Sequence, residues 1–192
     1  MRFTPDYGEQ VVLLDATRLT LRLVRPDDKE RLSAILAGMS VRSRTMRFFA
    51  PRTTLSDGEL RYLTELDGWN HVAILALCGD ESVGVGRIVR LGPGGRVAEP
   101  ALAIVDHLQA RGLGRILLDR LAAAARERGI VRLDGEVLPE NRAMLRLLRS
   151  APGPLALRVS RSSDGLSCSL DLTAHSYRSA SIGSSVAARQ AG

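Results

Sequence analysis

Gln109-Ala110-Arg111-Gly112-Leu113-Gly114 decides the fold, because it stands where an apolar strand segment, Ala101 to Val105, gives way to an amphipathic helix, Leu113 to Arg128. Two glycines at such a junction let the backbone turn tightly and aim N–H groups outward. With the positive end of the helix dipole, those N–H groups make an anion site. The junction therefore predicts a phosphate-bearing cofactor. Two phosphate loops are excluded by the neighbouring residues. A Walker A loop needs Gly-Lys-Ser/Thr, where this chain has Gly114-Arg115-Ile116, and a dinucleotide fingerprint needs a third glycine where it has Leu117.

Outward from the loop, the pattern predicts a mixed sheet. Leu19 to Val24 alternates as a half-buried strand does, and Pro26-Asp27 ends it and caps a helix running to about Gly38. Ser40 to Phe49 and Ser56 to Leu66 read as two helices separated by Pro51. His71 to Cys78 and Ser82 to Leu91 read as strands joined at Gly79-Asp80, and Val97 to Val105 as a fourth strand after the Gly92-Pro93-Gly94-Gly95 turn. Gly129 ends the long helix. Val131 to Val137 is a fifth strand, Glu140 to Arg149 a short helix, and Leu155 to Ser160 and Leu166 to Leu172 the last two strands. The order excludes an alternating doubly wound sheet and predicts an α/β (α+β) domain over residues 1–173 with about seven strands, mostly antiparallel. Residues 174–192 are rich in Ser and Ala and read as a mobile tail.

Bulk properties narrow the function classes. The chain has 192 residues, 45% of them hydrophobic and 25% charged, as in a soluble single domain. No apolar run has the length of a membrane span, and Met1 to Gln10 lacks the pattern of a secretory signal, so a cytoplasmic location is expected. Cys78 and Cys168 are far apart without metal-ligand spacing, so no metal is expected. The net charge of +6 comes almost wholly from arginine, Lys29 being the only lysine. Aromatic residues are 4% and do not interleave with the arginines, which argues against nucleic acid as a partner.

The loop fits the pattern Gln/Arg-x-x-Gly-x-Gly/Ala, and on it the chain resembles the GNAT superfamily of N-acetyltransferases. From about Leu19 to Gly153 it is similar to the acetyltransferase domain of bacterial Pat-type protein-lysine acetyltransferases. The matching pieces are Arg25-Pro26-Asp27-Asp28, Ser43-Arg44 with Arg47-Phe48-Phe49, Leu55-Ser56-Asp57, His71-Val72-Ala73 and Glu140-Asn141-Arg142-Ala143-Met144-Leu145. The resemblance implies acetyl-CoA as co-substrate, bound where the fourth and fifth strands splay apart. It also implies an acceptor amine, a protein lysine before a small-molecule amine, with an acceptor wall drawn from residues 40–66. A homodimer is left open.

Each site residue carries two readings. Glu99 opens the strand before the loop, and the resemblance gives it the general-base role that a protonated amine requires. The alternative is a charge at a strand start. Pro100 holds it extended at the cost of a ladder hydrogen bond. Leu102, Ala103 and Ile104 are implied to offer backbone groups to the pantetheine arm and an N–H to the developing oxyanion. Gln109, Ala110, Arg111, Gly112, Leu113, Gly114 and Arg115 are implied to hold the pyrophosphate, mostly through N–H groups, with Arg111 or Arg115 adding charge. Ala110 replaces a glycine common in Pat-type loops. Asn141 either bonds the cofactor arm or caps a helix. His71 is expected as a structural hydrogen-bond donor, Cys78 as core, and Phe48 and Phe49 as packing or pocket wall. Leu148 stands where many GNAT enzymes have a tyrosine acid, and Pro152-Gly153 replaces a usual Gly-Phe. These departures keep a second function open, a non-catalytic acyl-CoA-binding regulatory module.

Overall fold

Segments that alternate apolar with polar residues, or stay apolar throughout, can bury side chains only as strands of a shared sheet. A computed structural model describes residues 1–150, 157–163 and 165–173. Among these residues the strands are β1 (Gly8–Val12), β2 (Arg18–Leu23), β3 (His71–Cys78), β4 (Glu81–Arg90), β5 (Val97–Ile104), β6 (Arg132–Val137), β7 (Leu157–Arg161) and β8 (Leu166–Asp171). They form one sheet in the order β1-β2-β3-β4-β5-β6-β8-β7. Every neighbouring pair is antiparallel except β5 and β6. Central β3 is apolar and buried on both faces, with Ile74 and Leu75 wholly enclosed.

The helices are α1 (Lys29–Ala37), α2 (Val41–Phe48), α3 (Asp57–Thr64), α4 (Leu113–Glu127) and α5 (Arg142–Arg149). Helix α4 covers one face of the sheet. A Cβ on Gly86 of β4 would lie 2.9 Å from Leu121 Cδ1 and 3.5 Å from Leu117 Cβ, so glycine permits this close approach without moving the leucines. Alternation then turns Val85 and Arg87 to the opposite face, the one covered by α1 through Leu32 and Ile35.

The feature that matters for function is where the sheet opens. β5 and β6 are paired only at Val97↔Arg132 and Ala98↔Leu133. Beyond these pairs β5 stays with β4 and β6 with β8, so a wedge opens along β5. The splay expected between the fourth and fifth strands is present.

The expected sheet of about seven mostly antiparallel strands is present, with eight strands among the described residues; β1 is the addition. Its residues include one buried side chain, Val11, so the alternation that reveals a strand is nearly absent. Helix α1 begins at Lys29, and the capping position is held by Asp28, not Asp27. Asp28 makes no side-chain cap; its carboxylate accepts from the Arg25 N–H at 2.8 Å and pairs with both Nη groups of Arg22 at 2.6 and 2.7 Å. Pro152-Gly153 and the tail expected at 174–192 lie outside the described residues.

Candidate active site

The loop after β5 has the geometry its glycines require. Gly112 precedes α4 at φ +98°, a conformation that disfavours any Cβ, and a Cβ there would also meet Leu14 at 3.4 Å. Gly114 lets the first turn of α4 approach Leu147 and Ile104, which a Cβ would meet at 3.3 and 3.5 Å. Ala110 adopts φ +59°, which explains why glycine suits this position: alanine holds the same turn with strain. The N–H groups of residues 110–114 donate to no protein acceptor among the described residues, and the first bonded amide of the turn is Arg115, to the Gly112 carbonyl at 3.1 Å. A row of free donors at a helix start is an anion cradle.

Gln109 is the brace of this loop. Its Nε2 donates to the Ile104 carbonyl and an Asp106 carboxylate oxygen, each at 3.0 Å, and to Ser43 Oγ at 3.2 Å. It ties β5, the loop and α2 together. Arg111 is engaged with Asp15 at 2.7 Å. Arg115 pairs with Asp119 at 3.0 Å and donates to the Ser150 carbonyl. Both expected phosphate partners are thus held by protein groups beside the cradle. Asn141 caps α5, its Oδ1 accepting from the Met144 N–H at 3.0 Å and its Nδ2 reaching the Met46 carbonyl at 3.4 Å.

Along β5 the backbone directions follow from two bonds. Val105 N–H reaches the Val83 carbonyl at 3.1 Å and the Val97 carbonyl receives the Leu91 N–H at 2.8 Å, so odd-numbered residues of β5 address β4. By alternation Pro100, Leu102 and Ile104 address the wedge. Leu102 and Ile104 therefore present N–H groups to the splay, while the backbone of Ala103 faces β4. The ladder loss expected at Pro100 falls on the β6 side by the same parity. Its missing N–H would have faced β6, not β4, so the proline ends the β5–β6 ladder at the place where the wedge opens. Gly135 of β6 lies against it, a Cβ there being 3.6 Å from Pro100 Cδ.

Two pockets meet at Ala101 of β5. One, of ≈ 480 Å³, fills the wedge between Pro100, Leu102, Gly135, Val137, Met144 and Leu148. The other, of ≈ 420 Å³, lies on the α1 face and is walled by Leu36, Met39, Phe48 and Leu63, with Arg47 and Arg87 as its charged groups. Residues 40–66, expected as the acceptor wall, supply Arg47, Phe48, Leu55 and Leu63 of it. Phe49 instead is largely exposed.

Cross-strand pairing sets the rows of this face. His71, Val89 and Glu99 form one row and Ala73, Arg87 and Ala101 the next. Glu99 is exposed, makes no hydrogen bond or ion pair among the described residues, and is close enough for its charge to favour the protonated form of Arg47. His71 is buried, with Tyr62 stacked at 4.9 Å between ring centres. Its Nε2 lies 3.3 Å from Nη1 of Arg87, which can only donate, so the imidazole accepts instead of donating as expected. Burial and then the Arg87 charge push its pKa down to about 4. Arg47 and Arg87 were given no role from sequence. The available signal was Arg87, a charge inside the buried run of β4.

Among the described residues no group of three or more His, Cys, Asp or Glu could hold a metal ion, and no helix is long and apolar enough to cross a membrane.

With this geometry in place, residues 40–151 match the acetyltransferase (GNAT) family. The chain is 31% identical over 130 residues to the acetyltransferase Pat of Mycolicibacterium smegmatis, covering 67% of this chain and 39% of that protein. It is 28% identical over 134 residues to the Pseudomonas aeruginosa acetyltransferase PA5475, covering 68% of this chain and 72% of that one. The crystal structure of the GNAT domain of S. lividans PAT superposes with a TM-score of 0.78 at 35% identity, over 85% of this chain and 96% of that domain. The chain thus spans less than half of the Mycolicibacterium protein and nearly all of the isolated domain.

Proposed function

Because this chain belongs to the GNAT acetyltransferase family, we propose that it transfers an acetyl group from acetyl-CoA to a primary amine, with Glu99 as general base. The single observation that carries this reading is the wedge: β5 parts from β6 after Ala98, and the free N–H groups of residues 110–114 lie at its end. An extended thioester carrier with a pyrophosphate needs such a pairing edge and such an anion cradle.

Acetyl-CoA supplies an activated acyl group. The residues do the rest. The N–H groups of the loop hold the pyrophosphate, and Leu102 and Ile104 offer backbone groups to the pantetheine arm. The Ile104 N–H is the donor for the carbonyl oxygen as negative charge develops on it. Gln109 already occupies the Ile104 carbonyl, which leaves the N–H as that residue's free group. Glu99 takes a proton from the acceptor ammonium, directly or through a water, because an amine of pKa about 10.4 is otherwise not nucleophilic at neutral pH. The nitrogen lone pair forms the new N–C bond, the C–S bond breaks with its pair on sulfur, and coenzyme A leaves as a thiolate that takes up the second proton released by the nitrogen. A thiol of pKa about 8.5 is a fair leaving group without a tyrosine acid, consistent with leucine at position 148.

Two acceptors have support. The Pat resemblance supports a protein lysine, and the apolar pocket on the α1 face supports a small amine. Calorimetry with acetyl-CoA, paired with a thiol-release assay, tests the reading. Binding together with acceptor-dependent release is expected. Binding without release for any amine would favour a regulatory acyl-CoA module, and absence of binding would defeat the reading.

A further inference from the structure

We propose that Arg47 and Arg87 form a carboxylate-binding subsite in the acceptor pocket, so that the acceptor is an amine carrying its own carboxylate, a free α-amino acid. The inference rests on the transferase reading above and names the acceptor class within it.

Both guanidinium groups border the same pocket. Arg87 is 7% exposed, and its one partner among the described residues is the neutral imidazole of His71. Arg47 has a buried Nε with no hydrogen-bond partner, and its guanidinium lies over the Phe48 ring at 4.8 Å. No carboxylate comes within ion-pair distance of either among the described residues, although nine other described arginines have one. Burial, and then repulsion from Arg47, bring the Arg87 pKa to about 10, which still leaves it charged at neutral pH.

Arg128 shows what a structural buried arginine looks like in this protein. At 4% exposure it donates to the carbonyls of Gly68, Ala124 and Phe3 at 2.8, 2.9 and 2.8 Å. Arg47 and Arg87 have no such acceptors. Arg87 is buried and Arg47 is half-buried with an enclosed, unpartnered Nε; guanidinium groups so placed without an anion or carbonyls are costly, so the pair is matched to an anion that arrives with a ligand. Planar forks favour a carboxylate.

Spacing selects the acceptor. Glu99 stands one same-face step from Ala101, the residue opposite Arg87. Same-face neighbours on a strand are roughly 7 Å apart. This register suits an amine at Glu99 and a carboxylate at the arginines that are a few bonds apart, as in an α-amino acid. The apolar wall of Leu36, Met39 and Phe48 suits its side chain. A protein lysine would instead bring an ammonium group toward two cations with no carboxylate to offset them.

The test measures thiol release from acetyl-CoA with the proteinogenic α-amino acids, their amides and lysine-containing peptides. Binding of the same compounds to the coenzyme A-loaded protein is followed by calorimetry. At least one free amino acid is expected to bind and react, with its amide poorer by roughly 10–100-fold in kcat/KM. Arg47→Gln should impose a similar loss on the acid, mainly through KM, with little change for the amide and none in acetyl-CoA affinity. Arg87→Lys retains the buried charge and serves if removal of that charge unfolds the protein; it should narrow the gap between acid and amide. Equal use of acid and amide, better use of peptide lysine, or acetyl-CoA binding with no amino acid bound would each overturn the subsite while leaving the transferase reading standing. Failure to bind acetyl-CoA would remove that reading, and the subsite with it.

Discussion

Glu99 and Arg87 occupy neighbouring rows of one sheet face, yet only the first was legible in the sequence. Glu99 could be found because it opens the strand that runs into Gln109–Gly114, and a loop between strand and helix is a local pattern. The significance of Arg87 depends on what does not surround it, and a missing counter-ion is a tertiary fact. Glu99→Gln should lower kcat by roughly 10²–10⁴-fold, the usual share of a general base, and leave the acetyl-CoA dissociation constant unchanged. Turnover equal to the parent protein would remove Glu99 from that role. Gly112 tests the cradle. Alanine at φ +98° must enter a left-handed conformation and press on Leu14. Gly112→Ala should cost about 1–2 kcal/mol in a denaturant titration and weaken acetyl-CoA binding in calorimetry.

At the scale of elements, position follows from local chemistry wherever one residue type dictates a conformation. Helix α3 shows this. Ser56 Oγ accepts from the Glu59 N–H at 3.3 Å and the Glu59 carboxylate accepts from the Ser56 N–H at 2.8 Å, a reciprocal cap. The helix so fixed carries Tyr62 onto His71 and Leu63 into the acceptor pocket. Ser56→Ala should cost about 1 kcal/mol of stability by thermal melting, raise the KM for the acceptor, and spare acetyl-CoA affinity. Helix α4 and strands β3 to β5 were readable because their apolar runs are long and bounded by glycine turns. Strand β1 was not: Gly8, Gln10 and Val12 alternate with Glu9 and Val11, and beside its antiparallel pairing with β2 its side-chain anchor is distant, Glu9 pairing with Arg120 at 2.7 Å across 111 positions. Pro100 lies between these cases. Its effect on a strand is local, but which neighbour it denies a hydrogen bond depends on sheet order, and only the order shows that it ends pairing with β6.

At the scale of the whole molecule, the sheet separates two environments, the wedge beside β5 proposed for the thioester and the α1-face pocket proposed for the amine, and joins them at Ala101. The pocket side sets a buried Arg87 and a half-buried Arg47 near a neutral histidine, and this arrangement couples fold stability to pH. In the unfolded chain a histidine titrates near 6.5. In the folded chain burial and Arg87 hold His71 near 4, against the weaker opposing field of Asp67. Between these values the unfolded chain binds a proton that the folded chain refuses, so stability is full above about 6.5 and is lost as pH falls toward 4. The carboxylates act lower. Glu9, drawn down to about 2 chiefly by its bond to Arg120, gives stability that begins to fade only below its ordinary value near 4.3. The interval from pH 7 to 5 therefore reports mainly on His71, with an expected loss of about 2 kcal/mol in denaturant-derived stability. His71→Gln keeps a carbonyl to accept from Arg87 and cannot take the proton. It should flatten the curve across that interval and leave the steeper loss below pH 4.5 in place. An unchanged slope would mean that Arg87 does not hold the imidazole neutral, and with it would go the electrostatic separation between the two cations and their one buried neighbour.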